Sequence, residues 1–193
     1  MPQSLPGPDR PLPVVVTVAG LKKSGKTTVA EALISELSSR GISVGSIKTM
    51  TDHLPSLSAE ATDTRRHEAA GAEVVVALHA GGTARFERGM PPRSLQDVAQ
   101  LFPRRIRILI CEGSLQPADG QFYVVCLRSP DGLEETLREK RIPRNAVVAL
   151  SGAAAAAGAA AAAGWCIPCF DVVDPAQKRM LADLVLAKIE LAG

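Results

Sequence analysis

The chain has 193 residues, 46% of them hydrophobic, and its net charge is only +2. This size and apolar content predict one domain over residues 13–193, preceded by a flexible, proline-rich tail over residues 1–12. The nearly balanced charge and the small aromatic content (one Trp, one Tyr and four Phe) argue against nucleic-acid binding. Because no stretch resembles a signal peptide or a membrane span, we expect a cytoplasmic protein without membrane attachment.

The first predicted elements are a buried strand over 13–19 and an amphipathic helix from Thr27 to a stop at Gly41. Between them, residues 20–27 read Gly-Leu-Lys-Lys-Ser-Gly-Lys-Thr, the phosphate-binding pattern G-x-x-x-x-G-K-[ST]. A strand–loop–helix of this kind directs backbone N–H groups and the positive helix N-terminus to one point, which favours a polyphosphate. The predicted nucleotide-binding residues are Gly20, Lys23, Ser24, Gly25, Lys26, Thr27 and Thr28.

Two side chains of this loop have specific predicted roles. We expect Lys26 to reach the β- and γ-phosphates and the Thr27 hydroxyl to ligate Mg²⁺. The alternative, a Gly- and Lys-containing turn before an ordinary helix, is disfavoured by the flanking strand and helix.

The rest of the chain alternates between strand-like and helix-like segments. Further strands are predicted over 42–48, 73–79, 83–88, 105–112, 122–128 and 146–150. Helices are predicted over 62–72, 94–102, 131–140 and from Pro175 onward, the last with the apolar stripe Met180, Leu184, Ala187 and Leu191. The alanine-rich segment 151–164 is predicted as a weak helix or a loop. Together these elements predict an α/β fold of the P-loop NTPase type, with a doubly wound, mostly parallel sheet and helices on both faces.

Two carboxylates are candidates for assisting the metal and the reaction. Glu112 ends a predicted strand, where an acidic residue commonly joins the loop Thr in binding Mg²⁺; the alternative is a solvated charge at a strand end. Asp63 follows the second predicted strand, where it either senses the γ-phosphate or caps the next helix. Lys48, at the end of that strand, either faces the phosphates or is a surface lysine.

The four cysteines do not favour a metal or redox centre. Cys111 and Cys126 lie in strand-like runs and are predicted to be small core residues. Cys166 and Cys169 form a C-x-x-C pair, but a structural zinc site needs four ligands, and no second pair or nearby His is present unless a homodimer shares two such pairs.

In the order and spacing of its motifs the chain resembles the MobB family of molybdopterin-guanine dinucleotide biosynthesis adapters. The resemblance runs from Val14 to Ile189 and rests on five pieces. They are the loop 20–28, Gly-Ser-Ile-Lys (45–48), Asp-Thr-Arg-Arg (63–66), Cys-Glu-Gly (111–113) and Ile-Pro-Cys-Phe-Asp (167–171). The chain departs from the family pattern at Thr49–His53, at Arg107 and at Ser151-Gly152.

The resemblance implies a GTP-binding adapter with slow hydrolysis that requires Mg²⁺. It also implies a homodimer and, as partner, the molybdenum cofactor guanylyltransferase or a molybdoenzyme maturation factor. The alternative reading is a small-molecule or nucleotide kinase, in which Arg138, Arg141 and Arg144 form a lid. That segment is short, and no second substrate motif accompanies it.

Overall fold

In the computed structural model, residues 12–49, 66–67, 69–87, 94–113, 121–155 and 167–190 are described. The chain divides into two compact units, one made of Met1–Thr49 and Ser94–Gly193 and the other of Met50–Arg93. Each unit contains one β-sheet. The flexible tail stays a prediction, because residues 1–11 lie outside the described part. The single-domain organisation also stays a prediction, because a division into compact units does not measure whether they fold cooperatively.

Seven strands and four helices are described. The strands are β1 (Val14–Gly20), β2 (Val44–Lys48), β3 (Val74–His79), β4 (Gly82–Glu87), β5 (Ile108–Glu112), β6 (Gln121–Cys126) and β7 (Val147–Ser151). The helices are α1 (Lys26–Ser39), α2 (Leu95–Gln100), α3 (Leu133–Lys140) and α4 (Pro175–Glu190), with a short 3₁₀ turn at Arg144–Ala146.

The larger unit is built on a parallel sheet with strand order β2-β5-β1-β6-β7. β1 lies at its centre, and Val15, Val16 and Val18 are fully buried, as expected for an apolar strand covered on both faces. Because all five strands run in one direction, their carboxyl ends lie at one edge. Lys48, Glu112 and the loop after Gly20 are therefore brought to the same edge.

Helices cover both faces of this sheet. On one face, α1 and α4 enclose a core that contains Leu33, Leu37 and Leu181. On the other face, α2 packs through Val98, and α3 packs through Leu133 and Leu137 in a separate cluster. This arrangement confirms the predicted doubly wound α/β fold.

Most predicted elements are present, with shifted ends. The strand predicted over 105–112 begins only at Ile108, because a turn closed by a hydrogen bond from Ile106 N to Pro103 O (3.0 Å) precedes it. α2 begins where predicted, since Ser94 and Asp97 form a reciprocal capping box. Only residues 151–155 of the alanine-rich segment are described, and Ser151 belongs to β7.

The predicted apolar stripe of the last helix is only partly confirmed, since Leu184 packs against the core but Met180 and Ala187 are exposed. Met180 is 56% exposed, whereas Leu181, Ala182 and Val185 are the buried residues. The helix carries apolar residues on more than one side, so the pattern admits two stripes, and packing against α1 and β7 selects the other one. Leu191, the last member of the predicted stripe, lies outside the described residues.

The smaller unit contains an antiparallel hairpin of β3 and β4, where the sequence predicts two extended segments. Val74, Val76 and Leu78 are exposed on β3, and Arg85 forms an ion pair with Glu87 (2.8 Å) on β4. Of the helix predicted over 62–72, residues 62–65 lie outside the description, and 66, 67 and 69 are helical. No helix in the described ranges combines the length and apolarity needed to cross a membrane.

Candidate functional site

The loop that joins β1 to α1 reverses the chain through two left-handed residues. Lys23 has a φ of 64° and Gly25 a φ of 86°. Gly25 directly precedes α1 and is its N-terminal cap residue, and no side chain bonds to that end of the helix within the described residues. Acidic residues are also absent from the first turn of α1, which is described in full. The N–H groups and the positive end of the helix dipole thus remain available for an anion.

Lys26, the first residue of α1, turns its side chain back over the loop. Its Nζ donates a hydrogen bond to the carbonyl oxygen of Leu21 at 2.6 Å. Burial is the largest cause that lowers the pKa of Lys26, and the charges of Lys140 and Lys48 act in the same direction. A partly desolvated ammonium group beside other cations is stabilised by an anionic ligand, which is the role predicted for this lysine.

Thr27 and Glu112 meet although 85 positions separate them in the sequence. The Thr27 hydroxyl donates to Glu112 Oε1 at 2.6 Å, and Lys48 Nζ lies 3.2 Å from Glu112 Oε2. The three residues come from α1, β5 and β2, so the fold assembles them at one edge of the sheet. The sequence pointed to each of them separately, and the structure places them in direct contact.

These residues suit a magnesium ion. Thr27 gives its hydrogen to Glu112, which leaves the lone pairs of its oxygen free to face a cation, and the Glu112 carboxylate lies beside it. Mg²⁺ bound to a nucleotide usually takes only one or two protein oxygens and completes its shell with phosphate and water. Accordingly, the lack of any cluster of three or more His, Cys, Asp or Glu among the described residues does not count against it.

On its other side the loop is braced by the segment after β7, which the sequence did not identify as functional. Ala153 N donates to Ser24 O at 2.9 Å, and Gly152 has a φ of 97°. A side chain at Gly152 would overlap Ser24 O and press against Cys126, so only glycine fits without displacement. The available signal was a glycine directly after a buried strand.

Gly113 fulfils a similar requirement beside Glu112. Its φ is 120°, and a β-carbon there would overlap the Thr49 side chain. Gly113 N donates to Val18 O (3.1 Å), and Thr49 N donates to Glu112 O (3.0 Å). These backbone contacts fix the end of β5 against its neighbours and so orient Glu112.

The remaining candidates are distributed as follows. Thr28 is exposed in the first turn of α1, and the Ser24 side chain is completely buried beneath the loop, where its Oγ has no partner among the described residues. Gly20 adjoins both Ser24 and Cys126. Asp63 lies outside the described residues, so neither of its two predicted roles is tested.

Three of the four cysteines, Cys111, Cys126 and Cys169, lie in the described part of the chain. Cys111 and Cys126 are core residues, as predicted, and burial raises the pKa of each thiol to about 12. Cys169 donates from Sγ to Ala155 O (3.4 Å), and burial is the main cause that raises its pKa. Cys166 lies outside the described residues, so the geometry of the C-x-x-C pair is untested.

The arginines of the predicted kinase lid lie in the last turn of α3 and just after it. Arg144 is paired with Glu134 of α3. Arg141 has a left-handed backbone and ends α3, and Arg138 is exposed in its last turn. The described contacts therefore give the kinase alternative no specific support.

Comparison with known families identifies what carries this loop. The model of the family described as molybdopterin guanine dinucleotide synthesis protein B, MobB, matches residues 15–141, more than half of the chain. The chain belongs to the MobB family. This agrees with the resemblance seen in the sequence and with the prediction of nucleotide binding.

Individual relatives support the same assignment. A probable molybdopterin-guanine dinucleotide biosynthesis adapter protein of Bacillus subtilis is 38% identical over 73 residues, which cover 37% of this chain and 42% of the relative. The match thus spans less than half the length of that curated relative. Two solved structures share the MobB fold: Bacillus subtilis MobB (TM-score 0.61, 23% identity, 91% of this chain and 97% of that one) and a MobB homologue from Bacillus stearothermophilus (0.56, 21%, 89% and 98%).

Proposed function

We propose that this MobB-family chain binds GTP with Mg²⁺ through the loop 20–28, hydrolyses it slowly, and acts as an adapter in molybdopterin-guanine dinucleotide biosynthesis. The observation that carries the proposal is the convergence of Lys26, Thr27 and Glu112 at the N-terminus of α1. A polyphosphate and its metal need a cation, a hydroxyl and a carboxylate in this arrangement.

Each group has a defined task in the proposal. Lys26 exchanges the Leu21 carbonyl for the β- and γ-phosphates, and the N–H groups of Gly25 to Thr28 bind phosphate oxygens. Thr27 and Glu112 would hold Mg²⁺, since the threonine hydroxyl gives its hydrogen to the carboxylate and keeps its lone pairs for a cation. When bound there, the metal would neutralise part of the phosphate charge. Asp63 remains the candidate for sensing the γ-phosphate.

We expect hydrolysis by the isolated protein to stay below about one turnover per second. Arginine fingers accelerate hydrolysis by about 10³ to 10⁵ where they are present. Arg144, one of the arginines of the predicted lid, is engaged by Glu134. A faster rate for the isolated protein would contradict the adapter role.

The experiment that tests the binding site is calorimetry with Lys26→Ala. Loss of the ammonium should weaken GTP binding by about 2–5 kcal/mol, the usual effect of truncating one partner of a desolvated charge pair. Lys188→Ala, which removes an exposed lysine from α4, serves as the control and should bind like the wild type. Equal affinity of Lys26→Ala and wild type would show that the loop is not the site.

Preference for guanine rests on the family and needs its own measurement. Titration with GTP and ATP under the same conditions should give tighter binding of GTP. A clear preference for ATP would instead favour the kinase alternative, and phosphate transfer to small molecules would then be the activity to assay.

The partner and the assembly state belong to the same proposal. We place the chain in the cytoplasm, where GTP is available, as a homodimer that acts on the molybdenum cofactor guanylyltransferase or on a molybdoenzyme maturation factor. Deletion of the gene should lower the dinucleotide form of the cofactor and the activity of a host enzyme that needs it. Unchanged cofactor content would contradict the assignment to this pathway. A monomeric mass in sedimentation analysis would contradict the proposed homodimer.

A further inference from the structure

The Glu112 carboxylate is engaged on both of its oxygens. Oε1 accepts the hydrogen bond from Thr27 (2.6 Å), and Oε2 forms the ion pair with Lys48 (3.2 Å). The Glu112 side chain is only 15% exposed, whereas that of Lys48 is 57% exposed. A carboxylate that is mostly withdrawn from water thus keeps a cation beside it in the absence of a ligand.

The sheet itself fixes the base of this pair. Lys48 and Glu112 are the last residues of neighbouring parallel strands and are partners in the β2–β5 register. Thr49 N donates to Glu112 O at 3.0 Å, which holds the two strand ends together. The backbone of Lys48 is therefore anchored, while its exposed ammonium group can move within the reach of a four-carbon chain.

A magnesium ion at Thr27 and Glu112 would compete with this ammonium group. Both are cations, and both need the same carboxylate. The Lys48 side chain is 57% exposed, so its ammonium group can return to water when Mg²⁺ together with a polyphosphate displaces it from the carboxylate. The charge of Lys48 also contributes to lowering the pKa of Lys26, which places Lys48 within electrostatic range of the phosphate loop.

We propose that Lys48 is a stand-in cation, which neutralises Glu112 in the nucleotide-free protein and moves to the terminal phosphate when Mg²⁺ takes its place. This inference rests on the proposed binding of a Mg²⁺-nucleotide at the loop. It makes Lys48 a binding residue that favours the triphosphate over the diphosphate, because the γ-phosphate brings the displaced ammonium group an additional anionic partner that the diphosphate lacks. It also explains why a lysine ends β2 next to the metal carboxylate.

The test uses Lys48→Gln in the full chain and two binding measurements. The first is the Mg²⁺ concentration that gives half of the metal-dependent gain in GTP affinity. It should fall about two- to fivefold, since the competing cation is gone. The second is the ratio of GTP to GDP affinity at saturating Mg²⁺. It should fall about tenfold, the effect of losing one charge-assisted hydrogen bond.

Two further variants separate charge from structure. Lys48→Arg keeps the cation and should restore both quantities to within about twofold of the wild type. Arg107→Gln removes the same charge at the opposite end of β5, about 16 Å from Glu112 at the rise of a strand, and should change neither quantity. Thermal unfolding of each variant confirms that the fold is intact.

The outcomes distinguish this inference from the proposal it rests on. An unchanged or higher Mg²⁺ requirement in Lys48→Gln, or an unchanged GTP to GDP ratio, would overturn the role of Lys48 while leaving nucleotide binding in place. Failure of the wild type to bind any nucleotide, with or without Mg²⁺, would overturn the binding site and the role of Lys48 together.

Discussion

On the β5 side of the phosphate loop, side chains carry the contacts: a hydroxyl, a carboxylate and an ammonium group from Thr27, Glu112 and Lys48. On the β6–β7 side, backbone groups and small residues carry them: Ala153 N is bonded to Ser24 O, and at Gly152 there is no room for a side chain beside Ser24 O and Cys126. Side-chain contacts can exchange partners when a ligand arrives, whereas backbone contacts in a packed interior are costly to move. We infer that the loop is fixed on one side and adjustable on the other.

The largest predicted effect tests the fixed side. Gly152→Ala places a β-carbon against Ser24 O at a φ of 97°, and should lower the free energy of unfolding by about 2–5 kcal/mol through backbone strain and overpacking. Nucleotide affinity should fall as well, because the loop is displaced. Urea unfolding monitored by circular dichroism measures the stability change.

Gly41→Ala is the matched control for this substitution. Gly41 also has a positive φ (76°), but a β-carbon there has no neighbour within 4 Å. Its replacement should cost only the backbone strain, about 1–2 kcal/mol. Equal losses of unfolding free energy for the two variants would show that crowding between residue 152 and the loop does not add to the backbone strain. The inference that this side of the loop is fixed would then be wrong.

The sequence predicted the fold and pointed to the residues of the adjustable side, whose functional roles stay predictions. Both depend on local patterns: an apolar strand before the loop, a helix with Leu33 and Leu37 on its buried face, and an acidic residue at the end of a strand. Since parallel strands present their carboxyl ends at one edge, even the long-range pairing of Thr27 with Glu112 follows once the fold class is known.

The fixed side was not predictable in the same way. The role of Gly152 depends on where Ser24 and Cys126 lie in space, and no pattern within the segment encodes that position. The stripe of α4 was only partly predicted for a related reason, since the choice between Met180 and Leu181 is made by packing against α1 and β7 and not by the periodicity of the helix.

A smaller effect is expected on the adjustable side. Thr27→Val and Glu112→Gln should each raise the Mg²⁺ concentration needed for tight GTP binding by about 10- to 100-fold, the usual cost of losing a ligand-orienting partner. The double variant should need little more Mg²⁺ than the single variant with the higher requirement, because the hydroxyl and the carboxylate act as a unit. Calorimetry at a series of Mg²⁺ concentrations measures this.

Glu31→Gln is the control for that measurement. Glu31 is an exposed carboxylate on α1, and its neutralisation should leave the Mg²⁺ requirement unchanged. Additive effects of Thr27→Val and Glu112→Gln on the Mg²⁺ requirement would mean that the two residues contribute to metal binding independently. The hydrogen bond between them would then not contribute to metal binding.

The smallest effect distinguishes two buried serines at the fixed side. Ser151 Oγ donates to Phe170 O at 2.7 Å, whereas Ser24 Oγ is buried without a partner among the described residues. Ser151→Ala should therefore lower the free energy of unfolding by about 0.5–1.5 kcal/mol, through loss of a made hydrogen bond. Ser24→Ala removes a hydroxyl that is desolvated without forming a hydrogen bond, so the free energy of unfolding should stay the same or rise by up to about 1 kcal/mol.

Urea unfolding of both variants, together with GTP titration of Ser24→Ala, measures this difference between the two serines. Unchanged GTP affinity would mean that Ser24 acts on the loop through its backbone, whose carbonyl accepts the bond from Ala153 N. Lower stability or weaker GTP binding of Ser24→Ala would instead mean that the Ser24 hydroxyl takes a hydrogen-bond partner. The side of the loop inferred to be fixed would then also rearrange.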